Sequence, residues 1–242
     1  MECVEQAYWD TTYRDCHLEA ASDDDLLRTW IEAFVPPGEG SCLEIGCFPG
    51  KCLSVFGDLG YELNGIDLTP RVDDELPDWL KQRGYRVGEI SQGDFRDYRT
   101  TRKYDVVCSF GFIEHFEDWP DILIKHAMLV DKGGYLIVST PNFHGFVQRI
   151  LHVILDRENH RRHNIAAMRP VLWSKLIRDM DFNVLFSGCF GLFGFWNEEQ
   201  PRNRVQNEAL YYIYRLMPRL QKILPENKTS YSPFCGLVAK KK

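Results

Sequence analysis

The residues with the clearest chemistry form a glycine-rich turn that is followed by a carboxylate. The segment LEIGCFPGK, residues 43–51, predicts a buried strand, a tight turn and the start of a helix. Gly46 and Gly50 allow the backbone to turn tightly and to approach a ligand without a Cβ in the way. Glu44 places one carboxylate beside the turn, and Asp67 ends the next apolar run, where it can accept hydrogen bonds from both hydroxyls of a ribose. This spacing predicts a pocket for a nucleotide-like ligand.

Two ligand classes fit such a turn, dinucleotides and S-adenosylmethionine (SAM). A dinucleotide fingerprint requires G-x-G-x-x-G, but the corresponding positions here are Gly46, Phe48 and Lys51. A phosphate-binding P-loop requires G-x-x-x-x-G-K-[ST], whereas only three residues separate the two glycines and Cys52 follows Lys51. The turn therefore disfavours both phosphate-binding classes.

The remaining pattern resembles motif I of the class I SAM-dependent methyltransferases, an acidic residue followed by Gly-x-Gly-x-Gly. Residues 93–95 (GDF), 104–118 and 132–142 resemble the ends of the third, fourth and fifth strands of that family, in the family's order. The resemblance covers roughly residues 40 to 142. Phe48 stands at the middle glycine, so we expect either a wider turn or a ring that packs against the cofactor.

The resemblance implies SAM as the cofactor and a set of residues that bind it. Asp67 would bind the ribose, and Asp94 the adenine amino group. The full predicted set is Glu44, Gly46, Cys47, Phe48, Gly50, Asp67, Leu68, Asp94, Phe95, Ser109 and Gly111.

The elements that must position these residues alternate regularly between strand and helix patterns, which predicts βαβ units and a mostly parallel sheet. Together with the resemblance, this indicates an α/β, Rossmann-like, doubly wound sheet of seven strands with an antiparallel C-terminal hairpin and helices on both faces. The predicted strands are 41–46, 61–66, 85–90, 104–110, 134–140, 182–188 and 232–239. We expect a single domain, 1–242, with an N-terminal helical cap at about 1–35 and helical insertions at about 143–168 and 195–228.

The composition of the chain restricts the kinds of partner that it can bind. The chain has 242 residues, a net charge of −6 and an isoelectric point near 5.7, which disfavours a nucleic-acid footprint. Neither a signal peptide nor a run of about 20 apolar residues is visible, so we expect a cytoplasmic protein with no transmembrane segment. The eight cysteines contain no CxxC pair and are interpreted as reduced, mostly buried thiols.

Three segments outside the minimal fold have more than one interpretation. Tyr8, Trp9 and Tyr13 indicate either aromatic packing or a helix that covers the cofactor pocket. The apolar positions of residues 145–164 share one helical face and precede a basic run, which is typical of a lid or of a membrane-surface helix. The amphipathic stretch 203–224 indicates core packing or a homodimer contact, with an acyl substrate or a bilayer as alternatives.

Two histidines are candidate catalytic residues. His115 follows Glu114 directly after the fourth strand, and it is either a general base or a structural residue that caps the loop. The region around His163 resembles a stretch in which sugar-modifying and quinone-pathway relatives carry a histidine near the active site. The spacing of the histidines does not match a metal-ligand signature, so we expect no metal.

The predicted acceptor is a small molecule. SFGF, residues 109–112, lacks the Asp/Asn-Pro-Pro-aromatic signature of the methyltransferases that modify bases in nucleic acids. We expect methyl transfer to a hydroxyl, in particular that of a sugar or glycan precursor. A quinone-precursor O-methyltransferase, an N-methyltransferase and a methyltransferase-like binding protein without activity are the alternatives.

Overall fold

The computed structural model describes residues 6–242, and within them seven strands form one sheet. The strands are β1 (Ser41–Ile45), β2 (Glu62–Asp67), β3 (Val87–Gln92), β4 (Tyr104–Phe110), β5 (Val130–Pro141), β6 (Phe182–Phe190) and β7 (Phe234–Lys241). Their order is β3-β2-β1-β4-β5-β7-β6, and β7 runs antiparallel to both of its neighbours whereas the other pairs are parallel. The predicted sheet with its antiparallel C-terminal hairpin is confirmed, and each strand begins and ends within a few residues of its expected bounds.

Helices surround the sheet. They are α1 (Gln6–Tyr13), α2 (Leu26–Glu32), α3 (Lys51–Asp58), α4 (Arg71–Asp74), α5 (Leu76–Gln82), α6 (Trp119–Leu129), α7 (Phe146–Leu155), α8 (Arg157–Arg161), α9 (Pro170–Ile177) and α10 (Arg204–Ile223), with 3₁₀ turns at Ile113–His115, Ile165–Ala167 and Arg178–Met180. None of these helices is both long enough and apolar enough to cross a membrane.

The core lies on both faces of the sheet, because successive side chains of a strand point to opposite faces. On β1, Leu43 and Ile45 belong to one buried cluster and Cys42 to the other. The central strands are buried on both sides, which explains why they appear in the sequence as nearly continuous apolar runs. Cys42, Cys47, Cys108, Cys189 and Cys235 are buried free thiols, as expected.

Each of the three segments outside the minimal fold contains helices. The N-terminal segment contains α1 and α2, while residues 1–5 lie outside the described part of the chain. The insertion after β5 contains α7 and α8. The insertion after β6 contains α10, which begins at a capping box formed by Asn203 and Gln206. The division of the chain into a cap, a domain and two insertions remains a prediction.

Candidate active site

The glycine turn lies between β1 and α3, at the carboxyl ends of the parallel strands. Gly46 and Gly50 have φ angles of +73° and +90°, a region that favours glycine. A Cβ on Gly46 would lie 2.8 Å from the Phe112 ring, and one on Gly50 would lie 2.4 Å from Leu76. The Gly46 N–H also donates to the Ile66 carbonyl at 2.9 Å, which ties the turn to β2. Side chains are therefore excluded from both positions for steric and conformational reasons.

Asp67, the last residue of β2, faces the turn. Its carboxylate accepts hydrogen bonds from the backbone N–H of Phe48 and of Thr69, each at 3.0 Å. Burial raises the pKa of Asp67, and these backbone donors act in the opposite direction. The carboxylate thus holds the turn in place and lines the pocket beside it.

Asp94, after β3, lies at the other end of the same pocket. Its two oxygens accept from the guanidinium of Arg96, with Nε to Oδ1 at 3.1 Å and Nη2 to Oδ2 at 2.5 Å. Hydrogen bonding to Arg96 keeps the pKa of Asp94 below its usual range. An ionised carboxylate is an acceptor only, which suits the predicted contact with an amino group.

These elements enclose a first pocket at the strand ends. It is lined by Trp9, Tyr13, Gly46, Phe48, Ile66, Asp67, Leu68, Gly93, Asp94, Phe95, Phe110, Gly111, Phe112, His115 and Phe116. Of the residues predicted to bind the cofactor, the structure brings seven together here: Gly46, Phe48, Asp67, Leu68, Asp94, Phe95 and Gly111.

The other four predicted residues lie behind the pocket wall. Glu44 and Ser109 are buried, and Glu44 Oε2 and Ser109 Oγ have no hydrogen-bond partner within residues 6–242. Burial raises the pKa of Glu44 well above its usual value. Cys47 packs against Gly65, and Gly50 is the N-cap of α3. Their direct contact with a cofactor stays a prediction, and their visible role is to shape the turn.

Helix α1 covers the first pocket. The Tyr13 ring lies 5.2 Å from the Phe48 ring, and the Arg71 guanidinium lies 4.9 Å from the centre of the same ring. Arg71 also donates to the carbonyl oxygens of Tyr13 and Cys16. The Phe48 side chain, 3% exposed, is therefore enclosed by α1 and Arg71 at the place where the family pattern has a glycine.

A second pocket adjoins the first. It is lined by Tyr8, Trp9, Gly111, Glu114, His115, Pro141, Asn159, Arg162, His163, Trp196 and Glu198. Trp9, Gly111 and His115 line both pockets. An ion pair between Arg162 and Glu198 crosses its rim, and the Tyr8 hydroxyl donates to Glu198 at 3.0 Å. The second pocket is thus built from α1, the end of β4 and both insertions.

His115 and His163 meet in the second pocket, with ring centres 4.7 Å apart. Burial, with the neighbouring His163, lowers the pKa of His115 to about 3, and burial lowers that of His163 to about 4. His163 Nδ1 donates to the Asn159 carbonyl at 2.7 Å, which leaves Nε2 as an acceptor. His115 bonds the backbone of Arg162, and its Nδ1 has no partner among the described residues. Each ring is neutral at pH 7 and keeps one free lone pair.

Glu114 lies beside these rings and is fully buried. Burial raises the pKa of its carboxyl group to about 8, and neither oxygen has a partner in the described chain. Ligand atoms of Glu114, His115 and His163 lie within 4.8 Å of one another, a spacing that could hold a metal ion. The expected absence of a metal is therefore still a prediction. His144, His152 and His160, three further histidines of the first insertion, are not in this group.

Sequence reasoning missed several residues of the two pockets. Arg71, Trp196 and Glu198 carry no local signal, because their positions depend on how α4 and the second insertion pack. Glu114 was noticed only as the neighbour of His115. Its burial without a hydrogen-bond partner among the described residues, which raises its pKa, is visible only in the folded chain.

Comparison with known proteins assigns the family. A family model described as a methyltransferase domain matches residues 18–185, so the chain belongs to this family. A solved SAM-dependent methyltransferase from Archaeoglobus fulgidus superposes with a TM-score of 0.56 at 17% identity, covering 98% of this chain and 100% of that one. Magnesium protoporphyrin IX methyltransferase from Synechocystis with bound SAM gives a TM-score of 0.51 at 15% identity, covering 89% of this chain and 76% of that one. The predicted class I SAM-dependent methyltransferase, with SAM as the cofactor, is confirmed at the level of the family.

The curated relatives named here match only about half of this chain. The ubiquinone biosynthesis O-methyltransferase of Thiobacillus denitrificans is 26% identical over 119 residues, which is 48% of this chain and 51% of that protein. That of Burkholderia lata is 30% identical over 114 residues, 47% of this chain and 49% of that protein. The chain thus spans about half the length of the curated relatives it matches.

Proposed function

We propose that this protein transfers the methyl group of SAM to a hydroxyl on a small molecule with a flat ring, of the kind found in quinone precursors. The observation that carries the proposal is the pair of neutral imidazoles in the second pocket, one of which, His115, also lines the first. The cofactor would occupy the first pocket, against Asp67 and Asp94, and the acceptor would occupy the second.

The reaction needs alignment and a proton acceptor. Bound SAM supplies a methyl group on a positively charged sulfur. The acceptor oxygen forms a bond to the methyl carbon, the bond from that carbon to sulfur breaks, and its electron pair stays on sulfur. The hydroxyl proton passes to an imidazole, for which His115 Nδ1 and His163 Nε2 are the free acceptors. Holding both reactants in adjoining pockets supplies much of the rate enhancement.

Glu114 can assist the histidines through charge. A buried imidazolium is costly, which is why the pKa values of both rings are low. An ionised Glu114 at this spacing would stabilise the imidazolium, and the positive charge of a bound sulfonium favours that ionised form. We therefore assign Glu114 as the counter-charge of the proton acceptor rather than as the acceptor itself.

The lining of the second pocket favours a flat acceptor. Tyr8, Trp9 and Trp196 supply aromatic surface, which suits stacking of a planar ring. The relatives named ubiquinone biosynthesis O-methyltransferases support the same choice.

A sugar acceptor, which the sequence favoured, is the second candidate. Asn159, Arg162 and Glu198 could bind sugar hydroxyls, since all three line the pocket. However, Arg162 and Glu198 already bind each other, and Glu198 accepts from Tyr8. N-methylation has less support, because a neutral amine needs no base and would leave the paired imidazoles without a use.

The test is an acceptor screen with the full chain. Protein and SAM are incubated with catechol-type phenols, sugars and amines, and S-adenosylhomocysteine and the methylated product are measured by mass spectrometry. We expect a phenol methyl ether, and His115→Gln should lower turnover by about 10²- to 10⁴-fold while SAM still binds. The control is His17→Gln, at an exposed histidine. Unchanged turnover when His115 and His163 are both replaced by Gln, or methylation of amines alone, would contradict the proposal.

A binding protein without activity would give a different result. SAM would bind, but no acceptor in the screen would raise the yield of S-adenosylhomocysteine. Cytoplasmic location is part of the proposal, because the acceptor and SAM must meet there. The membrane contact and the homodimer that the sequence left open concern the outer surface of the insertions rather than the pockets.

A further inference from the structure

Helix α7 exposes four large apolar side chains to solvent, while two polar side chains of the same helix are buried. Four large apolar side chains lie within about 100° of one another on the helix and are exposed. They are Phe146 (72% exposed), Ile154 (55%), Val153 (44%) and Ile150 (41%). On the opposite side, Gln148 and His152 are buried, with exposures of 2% and 1%. Leu155 is buried on that side as well, so the inward side is mixed, and the large exposed apolar side is unusual for a surface helix.

Specific hydrogen bonds hold α7 in this orientation. Gln148 Nε2 donates to the carbonyl oxygens of Gly194 and Tyr231, each at 2.6 Å. His152 Nδ1 lies 3.0 Å from Oδ2 of the buried Asp156. Asp156 in turn accepts hydrogen bonds from the Glu198 N–H and from Gln200 Nε2. Rotation of α7 to bury its apolar side would break these bonds and those of Gln148, which is costly. The exposed apolar side is therefore a stable feature of the fold.

Helix α10 carries a second exposed apolar line beside α7. Its members recur at spacings of 7, 4 and 7 residues, and so lie within about 40° of one another. They are Val205 (74% exposed), Tyr212 (56%), Leu216 (43%) and Ile223 (74%). The other side of α10 packs on the protein through Leu210, which clusters with Leu155 of α7. Gln206 Nε2 donates to the Ile154 carbonyl at 2.7 Å, so the two helices are in direct contact.

The charge around these helices is positive although the chain is acidic. Residues 143–168 and 195–228 together contain ten Lys and Arg against six Asp and Glu, a surplus of four positive charges. Since the whole chain carries −6, the remainder carries −10. On α10 four basic residues lie along one side of the apolar line, where Arg204 also pairs with Glu208: Arg204, Arg215, Arg219 and Lys222.

We propose that α7 and α10 form a docking face for an anionic membrane surface. Exposed apolar side chains bordered by Lys and Arg are what an interfacial helix needs, because the apolar groups enter the acyl boundary while the cations bind lipid headgroups. A second copy of this chain is a poorer occupant, since a symmetric contact would bring two positively charged faces together. The docking face lies outside the two pockets and does not depend on the chemistry proposed for them.

The test is vesicle sedimentation with the full chain, without cofactor. Vesicles of phosphatidylcholine with 30% phosphatidylglycerol are compared with phosphatidylcholine alone, at about 0.1 M salt. We expect the protein to pellet with the anionic vesicles and to be released at high salt. The double variant Phe146→Gln/Ile154→Gln and the double variant Arg219→Glu/Lys222→Glu should each weaken binding by at least about tenfold.

One variant serves as a control, and three results would contradict the proposal. Met128→Gln replaces an apolar residue of α6 that is 56% exposed and should bind vesicles like the unaltered protein. Failure of the unaltered protein to bind anionic vesicles overturns the proposal, as does equal binding by the Phe146→Gln/Ile154→Gln variant. A dimer that this variant disrupts, seen by light scattering in the absence of vesicle binding, would assign the face to a second copy instead.

Discussion

The two pockets lie side by side but are built differently. The first is formed mainly by residues at the ends of β1, β2, β3 and β4 and in the turns that follow them, with Trp9 and Tyr13 of α1 added from outside the sheet. The second is formed by side chains from distant segments, as when Tyr8 bonds Glu198, 190 residues away. The first pocket therefore depends on the geometry of the sheet, whereas the second depends on how α1 and the insertions pack. Changes in the first should abolish ligand binding, and changes in the second should alter turnover or pH response.

The largest effect is expected at the glycine turn. Gly46→Ala should lower SAM affinity by more than about 100-fold, because the new Cβ would meet Phe112 at 2.8 Å in a left-handed conformation. The matched control is Gly84→Ala, where φ is +84° but no atom lies within 4 Å of the new Cβ. Calorimetry with SAM and thermal unfolding separate the two. If both variants bind SAM equally well, steric exclusion at Gly46 is not what shapes the first pocket.

The second-largest effect is expected at Glu114, where the stability of the fold should change with pH. Its pKa is about 8 in the fold against an ordinary 4.5, so the folded state holds a proton that the unfolded state releases between these values. Its contribution to stability is therefore present below pH 4.5 and is lost as pH rises through 8, with a slope of up to about 1.4 kcal/mol per pH unit. Because Gln does not titrate, Glu114→Gln removes this loss of stability at rising pH. Denaturant unfolding at pH 5, 6.5 and 8 should show the variant gaining stability relative to the unaltered protein as pH rises.

His115 and His163 change stability with pH in the opposite direction, and they do so at low pH. The pKa values of His115 and His163 fall from 6.5 to about 3 and 4 in the fold, so their contribution is lost as pH drops below 6.5. Glu114→Gln should keep this loss of stability at acid pH unchanged.

If Glu114 is the counter-charge, kcat/KM of the unaltered protein should also rise with pH toward 8, and the Gln variant should lose that rise. A pH profile of kcat/KM that is identical in both proteins would argue against Glu114 as the counter-charge.

A smaller effect is expected from loosening α1. Arg71→Ala removes the hydrogen bonds to the Tyr13 and Cys16 carbonyls and the contact with Phe48. We expect SAM to dissociate faster and to bind about fivefold to tenfold more weakly, since Arg71 acts on the cofactor only through α1 and a loss of about 1 kcal/mol in binding free energy is expected from the loosened cover. Arg83→Ala is the control, because Arg83 also lies over an aromatic ring, that of Trp79. Equal dissociation rates in the two variants would show that α1 does not retain the cofactor.

The smallest effect should come from removing metal ions. We expect EDTA to leave methyl transfer unchanged, because the histidines alone can accept the proton. A loss of activity that Mg²⁺, Mn²⁺ or Zn²⁺ restores would assign Glu114, His115 and His163 as metal ligands. This measurement decides between a base and a metal in the second pocket.

The first pocket was largely predictable from the sequence. Gly46, Asp67 and Asp94 each follow a strand pattern, and parallel strands place such residues at one edge of the sheet. Local rules for turns and strand ends therefore suffice to bring them together. The same rules predicted the strand positions, whereas the antiparallel hairpin of β6 and β7 was implied by the resemblance to the methyltransferase family.

Only the tertiary structure decided the rest. The meeting of His115 with His163, the pairing of Tyr8 with Glu198 and the isolation of Glu114 depend on packing between segments that share no local signal. The helical pattern of α7 identified its apolar face, but not the direction in which that face points. Gln148 and His152 find their partners inside the protein, and these hydrogen bonds turn Phe146 and Ile154 outward. Hydrophobic periodicity specifies the faces of a helix, whereas the partners of its polar groups determine which face is buried.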